Sequence, residues 1–174
     1  QAERMVLTLS KMLRYTLDHS GEELIPLGRD LQYMEDYLQL QQVRLGEDFS
    51  YALEIPPEVQ DCRIPKLILQ PLIENSISHG YTGEAPFRLT VTAALHKGAL
   101  QMVVRDNGRG IPPAQLKKLR ARLKNGEEDP QHIGMVNTQK RLQLQYGPEY
   151  GMKIESQAGK GTTVRLYLKA VKGG

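Results

Sequence analysis

Residues 65–80 read PKLILQPLIENSISHG, a segment whose apolar residues recur at intervals of three and four. That period belongs to an α-helix, so the segment predicts a helix near 66–79. Pro71 either kinks this helix or marks where its regular part begins. The apolar positions are Leu69, Leu72, Ile73 and Ile77. One side of the helix is therefore expected to face a core.

The other side of this helix carries polar groups. Asn75 and His79 are four residues apart and so share one face, with Ser78 and Glu74 beside them. A carboxylate, an amide and an imidazole together suit magnesium and phosphate, because a hard cation takes oxygen ligands from protein, water and phosphate. An exposed polar face without a ligand explains this segment, taken alone, equally well.

The rest of the chain alternates between helical and extended patterns. N-terminal to the quoted segment the patterns predict helix 2–19, strand 24–27, helix 29–45 and strand 48–55. C-terminal to it they predict strands 87–95 and 99–105, a basic amphipathic segment at 114–124, helix 134–146, and strands 151–157 and 162–169. Because neighbouring strands are joined by hairpins, we expect an α/β fold with a mixed or antiparallel sheet and helices on one face.

A glycine-bearing loop, DNGRGI at 106–111, directly follows a predicted strand. Glycines at 108 and 110 allow the backbone to approach a ligand closely. An ionised Asp106 at the strand end can accept a hydrogen bond from an exocyclic amine such as that of adenine. An ordinary glycine-rich turn is the alternative, while a Rossmann motif is disfavoured because the third glycine and an immediately following helix are missing.

Two further segments have the composition of ligand-binding turns. HIGMVN at 132–137 begins a predicted helix, whose first N–H groups attract phosphate, although a plain helix start is the commoner case. GKGTT at 159–163 joins two strands and, by itself, indicates a structural hairpin turn.

Composition narrows the class of protein. The chain has 174 residues, 40% of them hydrophobic, and a formal net charge of +3. These values fit one domain with a core, or one domain plus a helical extension, and the charge is too small to indicate nucleic acid as the partner. With Cys62 as the single cysteine, we expect no internal disulfide and no thiolate metal cluster. We expect the chain to be soluble, since no apolar run reaches about 18 residues. We also expect a fragment of a longer protein, because the sequence opens at Gln1 in the middle of a helical pattern.

The basic cluster at 117–124 is the one feature that could favour nucleic acid. Its lysines and arginines surround Leu116, Leu119 and Leu123. Charge runs commonly mark exposed helices, so we favour a solvated helix face and expect no nucleic-acid partner.

The order of the four segments resembles the GHKL ATPases, which include histidine kinases, gyrase B, MutL and the large heat-shock chaperone. The segments are similar to the N, G1, G2 and G3 boxes of that group. PKLILQPLIENSISHG and IGMVNTQKRL resemble most closely the LytS/YesM-type sensor histidine kinases. The stretch from Leu9 to Phe49 is similar to the region that links the phosphoacceptor helix to the ATPase domain in these kinases.

The resemblance implies a fold and a division of the chain. The fold would be a two-layer Bergerat sandwich, with a mixed, mostly antiparallel sheet, helices on one face and an N-terminal connector helix. Residues 1–20 would be the end of a dimerisation or phosphoacceptor helix, or a linker. Residues 21–174 would be the histidine-kinase-like ATPase domain.

The resemblance also implies roles for individual residues. Asn75 would bind Mg²⁺, and Glu74 would act with it through a water, so these two are the implied catalytic residues. Asp106 would bind the adenine amine, while residues 112–131 would form an ATP lid. The other implied ATP contacts are Ser78, His79, Gly108, Gly110, Ile111, Gly134, Met135 and Thr162.

Several positions depart from the family pattern. The Asn-Pro-His-Phe phosphoacceptor segment is missing, and neither His19 nor His96 has such a context, so the fragment is not expected to phosphorylate itself. Ser78 stands where lysine is frequent, Lys140 where glutamate is frequent, and His132 where glycine is common. We therefore expect a stiffer lid hinge and a reduced catalytic rate, with ATP binding retained.

The implied activity is histidine protein kinase chemistry in a two-component system. The domain would transfer the γ-phosphoryl group of Mg-ATP to a histidine of a separate helical domain, in a homodimer that passes the group to a response regulator. The implied location is the cytoplasmic side of a bacterial inner-membrane protein. A catalytically weakened, nucleotide-responsive interaction module is the alternative.

Overall fold

The computed structural model describes Ser10, residues 24–127 and residues 130–172. The expected helix at 2–19, the domain boundary at residue 20 and His19 lie, apart from Ser10, outside these residues. Within the described ranges no helix is both long and apolar enough to cross a bilayer.

Five strands form the central sheet, in the order β2-β4-β5-β7-β6, and a separate two-stranded sheet joins β1 to β3. The strands are β1 (Leu24–Pro26), β2 (Phe49–Glu54), β3 (Arg63–Pro65), β4 (Phe87–His96), β5 (Ala99–Asp106), β6 (Gly151–Gln157) and β7 (Gly161–Lys169). β2 runs parallel to β4, and every other pairing is antiparallel. The prediction of a mixed, mostly antiparallel sheet is confirmed.

Within the described residues, five α-helices accompany the sheet. They are α1 (Leu27–Leu45), α2 (Pro57–Gln60), α3 (Gln70–Asn75), α4 (Pro113–Asn125) and α5 (Ile133–Tyr146). A 3₁₀ turn at Gly46–Asp48 follows α1, and a π-helical turn at Ser76–Gly80 follows α3. The long elements lie within two or three residues of their predicted bounds, because strong periodicity identified them.

Alternation along the strands divides the sheet into a buried face and an open face. Val91 of β4 pairs with Val104 of β5, which pairs with Val164 of β7, and all three are buried. Their neighbours Thr90, Arg105 and Thr163 point the other way and are at least partly exposed. The helical layer therefore covers the valine side, which gives the two-layer arrangement expected from the sequence.

The segment at 65–80 differs from the single helix predicted at 66–79. Leu67 adopts a positive φ of 57°, and its N–H donates to Asp30 Oδ1 at 3.0 Å, so the chain turns before the helix begins. Pro71 lies in the first turn of α3, where its missing N–H costs nothing. After Asn75 the helix widens into the π turn, a distortion that frequently marks functional sites. The four predicted apolar residues are buried as expected.

Two short elements, α2 and β3, were not predicted. The four residues of α2 and the three of β3 are too few to establish a periodicity in the sequence. The N–H of Leu27 donates to Cys62 O at 2.8 Å just before β3, so these elements attach the start of α1 to the core. Cys62 is a buried free cysteine.

Candidate nucleotide-binding site

An inner cavity lies where α3, the π turn and the start of α5 meet the ends of β5 and β7. Of the residues expected to contact ATP, the structure brings seven to its lining: Asn75, His79, Asp106, Gly110, Ile111, Met135 and Thr162. Sequence reasoning missed Leu72, Ser76, Gly80, Ile154 and Val164, which also line the cavity. Most of these are small or apolar and carry no motif signal of their own, so only the fold could identify them.

Asp106, the last residue of β5, forms the floor of this cavity and is 4% exposed. Its Oδ1 accepts hydrogen bonds from the N–H of Gly108 at 2.9 Å and from the N–H of Thr162 at 3.2 Å. Burial raises the pKa of the Asp106 carboxyl, and the hydrogen bonds from Gly108, Ser76 and Thr162 oppose that rise. An aspartate held in this way is an oriented acceptor for a donor that enters the cavity.

The loop after Asp106 fits between two other segments. The N–H of Arg109 donates to Gly80 O at 3.0 Å, and the N–H of Gly159 donates to Arg109 O at 2.7 Å. A Cβ on Gly108 would lie 2.5 Å from Gly80 O, so this approach requires glycine. Gly108 therefore positions the loop, and it does not line the inner cavity.

Ser156 of β6 joins the loop to the following β6–β7 turn. Its Oγ accepts from the N–H of Ile111 at 2.8 Å, donates to Gly161 O at 2.9 Å and lies 2.8 Å from Thr162 Oγ1. Sequence reasoning missed Ser156 because a lone serine within a strand carries no motif. Its contacts make it a positioning residue for Ile111 and Thr162.

Glu74 and Ser78 do not line the inner cavity. Glu74 is exposed, and its Oε1 accepts from Gln70 Nε2 at 2.7 Å. Burial and, secondly, the nearby Glu74 charge raise the pKa of Tyr37 on α1 to about 12. The hydroxyl of Ser78 donates to Glu74 O at 2.7 Å within its own turn. The structure thus places Glu74 outside the cavity lining, within electrostatic range of Tyr37.

Gly134 has a packing role in the structure. It lies in the first turn of α5, and a Cβ at this position would come 2.8 Å from Pro71 Cβ. Glycine therefore lets the start of α5 approach α3, which brings Met135 to the cavity wall.

Two histidines form the boundary between the inner cavity and a wider outer cleft. The rings of His79 and His132 stack with centroids 5.1 Å apart and planes inclined by 28°. His79 Nε2 lies 3.1 Å from Gln131 O, and both histidines line the cavity and the cleft. The imidazole at 132, where the family commonly has glycine, links the segment before α5 to the π turn. That geometry agrees with a stiffer hinge, which remains a prediction.

The outer cleft has a volume of about 700 Å³ and a basic lining. Arg109, Lys118 and Arg122 all contribute to it. Leu116, Leu119 and Leu123 of α4 are buried, so the apolar side of this helix packs on the core while part of its basic side faces the cleft. The basic cluster at 117–124 is thus a helix with a buried side, as favoured from the sequence, and two of its cations face a cavity.

Arg120 attaches α4 to the sheet. Its Nε and Nη2 donate to Ile154 O at 2.9 Å and 2.6 Å. Replacing it with methionine should lower the free energy of unfolding by about 1 kcal/mol, because the hydrogen bonds are lost while the apolar stem is retained. Hydrogen exchange should show reduced protection in α4. The control Lys117→Met, at an exposed neighbour, should change neither quantity, and equal effects of the two variants would contradict the assignment.

Known proteins similar to this chain are histidine kinases. Residues 60–172 match the family described as histidine kinase-, DNA gyrase B-, and HSP90-like ATPase, and residues 1–49 match the histidine kinase family. An uncharacterized sensor-like histidine kinase of Staphylococcus epidermidis is 34% identical over 98% of this chain and 33% of its own length. The sensor protein kinase HptS of Staphylococcus aureus is 32% identical over 99% of this chain and 33% of its own length.

Solved structures agree in fold. The catalytic domain of the histidine kinase ThkA gives a TM-score of 0.64 at 15% identity, covering 86% of this chain and 97% of that one. ThkA solved in complex with the response regulator protein TrrA gives 0.61 at 15% identity, over 95% of this chain and 48% of that one. The expected histidine-kinase-type sandwich is confirmed.

This chain spans about a third of the length of the curated relatives it matches. The family match covers well over half of the chain, and two relatives exceed 30% identity across nearly all of it. The chain therefore belongs to the histidine kinase-, DNA gyrase B- and HSP90-like ATPase family.

Proposed function

We propose that this domain binds Mg-ATP across the inner cavity and the outer cleft and transfers the γ-phosphoryl group to a histidine of a separate helical domain of the same protein. One arrangement carries the proposal: the Asp106 carboxylate forms the floor of a cavity that opens into a cleft with three cations. An acceptor suits the amine of the base, and the cations suit the phosphates at the other end of the nucleotide.

The residues of the site fit a magnesium ion that arrives with the nucleotide. In the described part of the chain no group of three or more His, Cys, Asp or Glu side chains could hold a metal ion. Mg²⁺ usually takes one or two protein oxygens and completes its shell with water and phosphate. Asn75, partly buried at the cavity, would supply such an oxygen. The ion would neutralise charge on the phosphates.

Glu74 would then act at a distance from the metal. Its carboxylate bonds to Gln70 outside the cavity lining, so a contact with the metal shell would run through water, as the family resemblance implies. His79 would lie beside the phosphates. Thr162 would contact the base through water, and Met135 would pack against the base. Gly110 and Ile111 would form the wall between base and phosphates. Ser78 would make at most a peripheral contact.

The chemistry is an in-line displacement at phosphorus. A deprotonated imidazole nitrogen of the acceptor histidine forms the N–P bond as the bond from the γ-phosphorus to the β–γ bridging oxygen breaks and ADP leaves. This chain contributes position and charge: Arg109, Lys118 and Arg122 would offset negative charge on the transferring group, which is where such catalysis gains most.

Three partners complete the proposal. The first is the helical phosphoacceptor domain of the same protein, in a homodimer. The second is a response regulator, which takes the phosphoryl group onto an aspartate; ThkA, of similar fold, was solved with its regulator TrrA. The third is a membrane-anchored sensor segment, which would leave this domain in the bacterial cytoplasm. The relatives are described as sensor kinases and are about three times this length, which is enough for further domains.

The deciding experiment joins this chain to the helical domain of its parent protein and supplies radiolabelled ATP with Mg²⁺. Label should appear on the histidine of the helical domain. Asn75→Ala should reduce the labelling rate at least about 100-fold, since one electrostatic contact to the transition state is typically worth that much. The control Asn125→Ala, an exposed asparagine on α4, should label normally. ATP binding without any labelling of the wild type would instead favour a nucleotide-responsive interaction module.

A further inference from the structure

The open face of the central sheet carries a second, basic cavity. It has a volume of about 520 Å³, and its lining includes Arg88, Arg105 and Arg165 above a floor of Thr90, Thr92, Val103 and Thr163. The exposed Glu54 of β2 also lines it, so its arginines outnumber its exposed carboxylates by three to one. This arginine groove lies on the side of the sheet opposite the valine core, and the proposed phosphotransfer chemistry makes no use of it. Apart from the buried Asp106 at the end of β5, the lining side chains on strands β4, β5 and β7 are at least partly exposed.

The three arginines follow a diagonal line across adjacent strands. Arg105 of β5 pairs with Thr90 of β4 on one side and with Thr163 of β7 on the other. Arg88 is two residues beyond Thr90 in one direction, and Arg165 is two residues beyond Thr163 in the opposite direction. Diagonal neighbours in an antiparallel pair lie about 7–8 Å apart, so the three arginine positions are evenly spaced along the line.

That spacing matches the repeat of an extended polypeptide. Side chains on one side of an extended chain recur every second residue, at about 7 Å. An extended segment with acidic residues at alternate positions would thus present one carboxylate to each guanidinium. The threonine and valine floor consists of small side chains, which leave room for a backbone to lie between the arginines.

The ion pairs that the groove arginines make within the chain also favour an acidic segment as the occupant. Within residues 24–127 and 130–172, one of the three groove arginines has an ion pair. Arg165 Nη1 lies 2.8 Å from Glu155 Oε2 on β6. Arg88 and Arg105 are exposed and have no carboxylate within ion-pair distance among those residues. The contact with Glu155 shows that a carboxylate can reach a groove arginine, and an incoming carboxylate would approach Arg88 and Arg105, where arginine favours a two-pronged contact.

We propose that the arginine groove is a docking site for an extended acidic segment of a partner protein, with Asp or Glu at alternate positions. The site is separate from the nucleotide cavity yet adjoins it, since Asp106 lines both and Asn107 lines the groove. A small polyanion and a second copy of this chain are the other occupants that the test must separate from such a segment.

The test measures fluorescence anisotropy of a fluorescein-labelled peptide, Gly-Glu-Ser-Glu-Ser-Glu-Ser-Gly, titrated with the full chain at low ionic strength. An isomer of the same composition with its three glutamates contiguous should bind more weakly. The double variant Arg88→Glu/Arg105→Glu should weaken binding of the alternating peptide about tenfold or more. Arg88→Gln/Arg105→Gln, which removes charge without adding repulsion, should give a smaller loss.

The matched control is Lys97→Glu/Lys140→Glu, which changes the net charge equally at exposed positions outside the groove and should alter affinity by less than about twofold. Equal losses in both double variants, no preference for the alternating peptide, or no binding to the wild type would each overturn the proposal. Full displacement of the peptide by tripolyphosphate at the same concentration would also overturn the proposal, because it would indicate a small-anion site. Light scattering that shows self-association through the same arginines would overturn it as well. ATP-induced stabilisation, measured on the same samples, reports the nucleotide site separately.

Discussion

Asp106→Asn should abolish stabilisation of the chain by ATP while leaving the chain folded. A ligand at about 100 times its Kd stabilises the wild type by roughly 2.7 kcal/mol, on the order of 5–10 °C in Tm for a domain of this size. An asparagine side chain is uncharged, and it has one acceptor oxygen in place of two. That oxygen can occupy the position of either carboxylate oxygen. It can still accept from the N–H groups of Gly108 and Thr162, so the fold should survive.

The measurement is a thermal scan with and without Mg-ATP, and the control is Asp48→Asn at an exposed aspartate. The control should show the full wild-type shift. An undiminished Tm shift in Asp106→Asn would show that the base is recognised elsewhere. If the variant fails to fold without nucleotide, Asp106 is required for the fold, and the pH experiment below tests its role in binding.

The same carboxyl makes nucleotide binding depend on pH. Burial raises the pKa of Asp106 above the ordinary value of 3.8, and the ionised form accepts the amine hydrogen bond more strongly than the protonated form does. Adenosine affinity should therefore fall as the pH drops through the raised pKa. The apoprotein behaves oppositely: its folded state holds this proton more tightly than the unfolded state, so this group's contribution to stability is present below 3.8 and is lost as pH rises through the folded pKa. Calorimetric titration with adenosine avoids titration of the phosphates.

Gly161→Ala should destabilise the chain by at least about 3 kcal/mol and remove ATP binding with it. Gly161 has φ of +103°, and a Cβ at this position would overlap the carbonyl oxygen of Asp106. Both partners are backbone, so neither can rotate away. The strand pair β5–β7 would have to separate where it carries the Asp106 carboxylate and Thr162, which lose their relative positions together.

A second glycine in the same turn provides the control. Gly159 also has a positive φ, of 76°, but a Cβ there would meet nothing within 4 Å. Gly159→Ala should therefore show only the conformational cost of a left-handed alanine, about 1 kcal/mol, with ATP binding retained. Urea denaturation of both variants measures the difference. Equal costs would mean that the φ values alone, and not the contact with Asp106, determine the requirement for glycine.

The sequence singled out Asp106, Gly110 and Asn75, and the structure brings all three to the lining of one cavity, while their roles towards a nucleotide and Mg²⁺ stay predictions. Glu74 was grouped with them by its place beside Asn75, and in the structure it lies outside that lining and accepts from Gln70 on its own helix. Adjacent residues on a helix point in directions about 100° apart, and the sequence does not say which of them faces the cavity.

The sequence could not predict what depends on contacts between distant segments. Ser156 gains its role only because β6 and β7 place its hydroxyl beside the loop at Ile111, 45 residues away. The interruption of the helix at 66–79 depends on Asp30, 37 residues away from Leu67, since that carboxylate receives the N–H of the turn. The arginine diagonal appears only once strand register is known. Register and long-range hydrogen bonds are properties of the assembled sheet, and local periodicity does not contain them.

The attachment of α4 changes the entropy of nucleotide capture. A segment that becomes ordered only when ligand arrives costs about 1–2 kcal/mol for each residue whose backbone is fixed. In this chain three buried leucines and Arg120 already hold α4 against the sheet, with Lys118 and Arg122 at the edge of the cleft. For the thirteen residues of α4, most of this loss of conformational entropy therefore occurs when the chain folds, before the nucleotide binds. Affinity for the triphosphate then reflects contact strength more than loop ordering, so mutations that loosen α4 should weaken affinity without touching a single ligand atom.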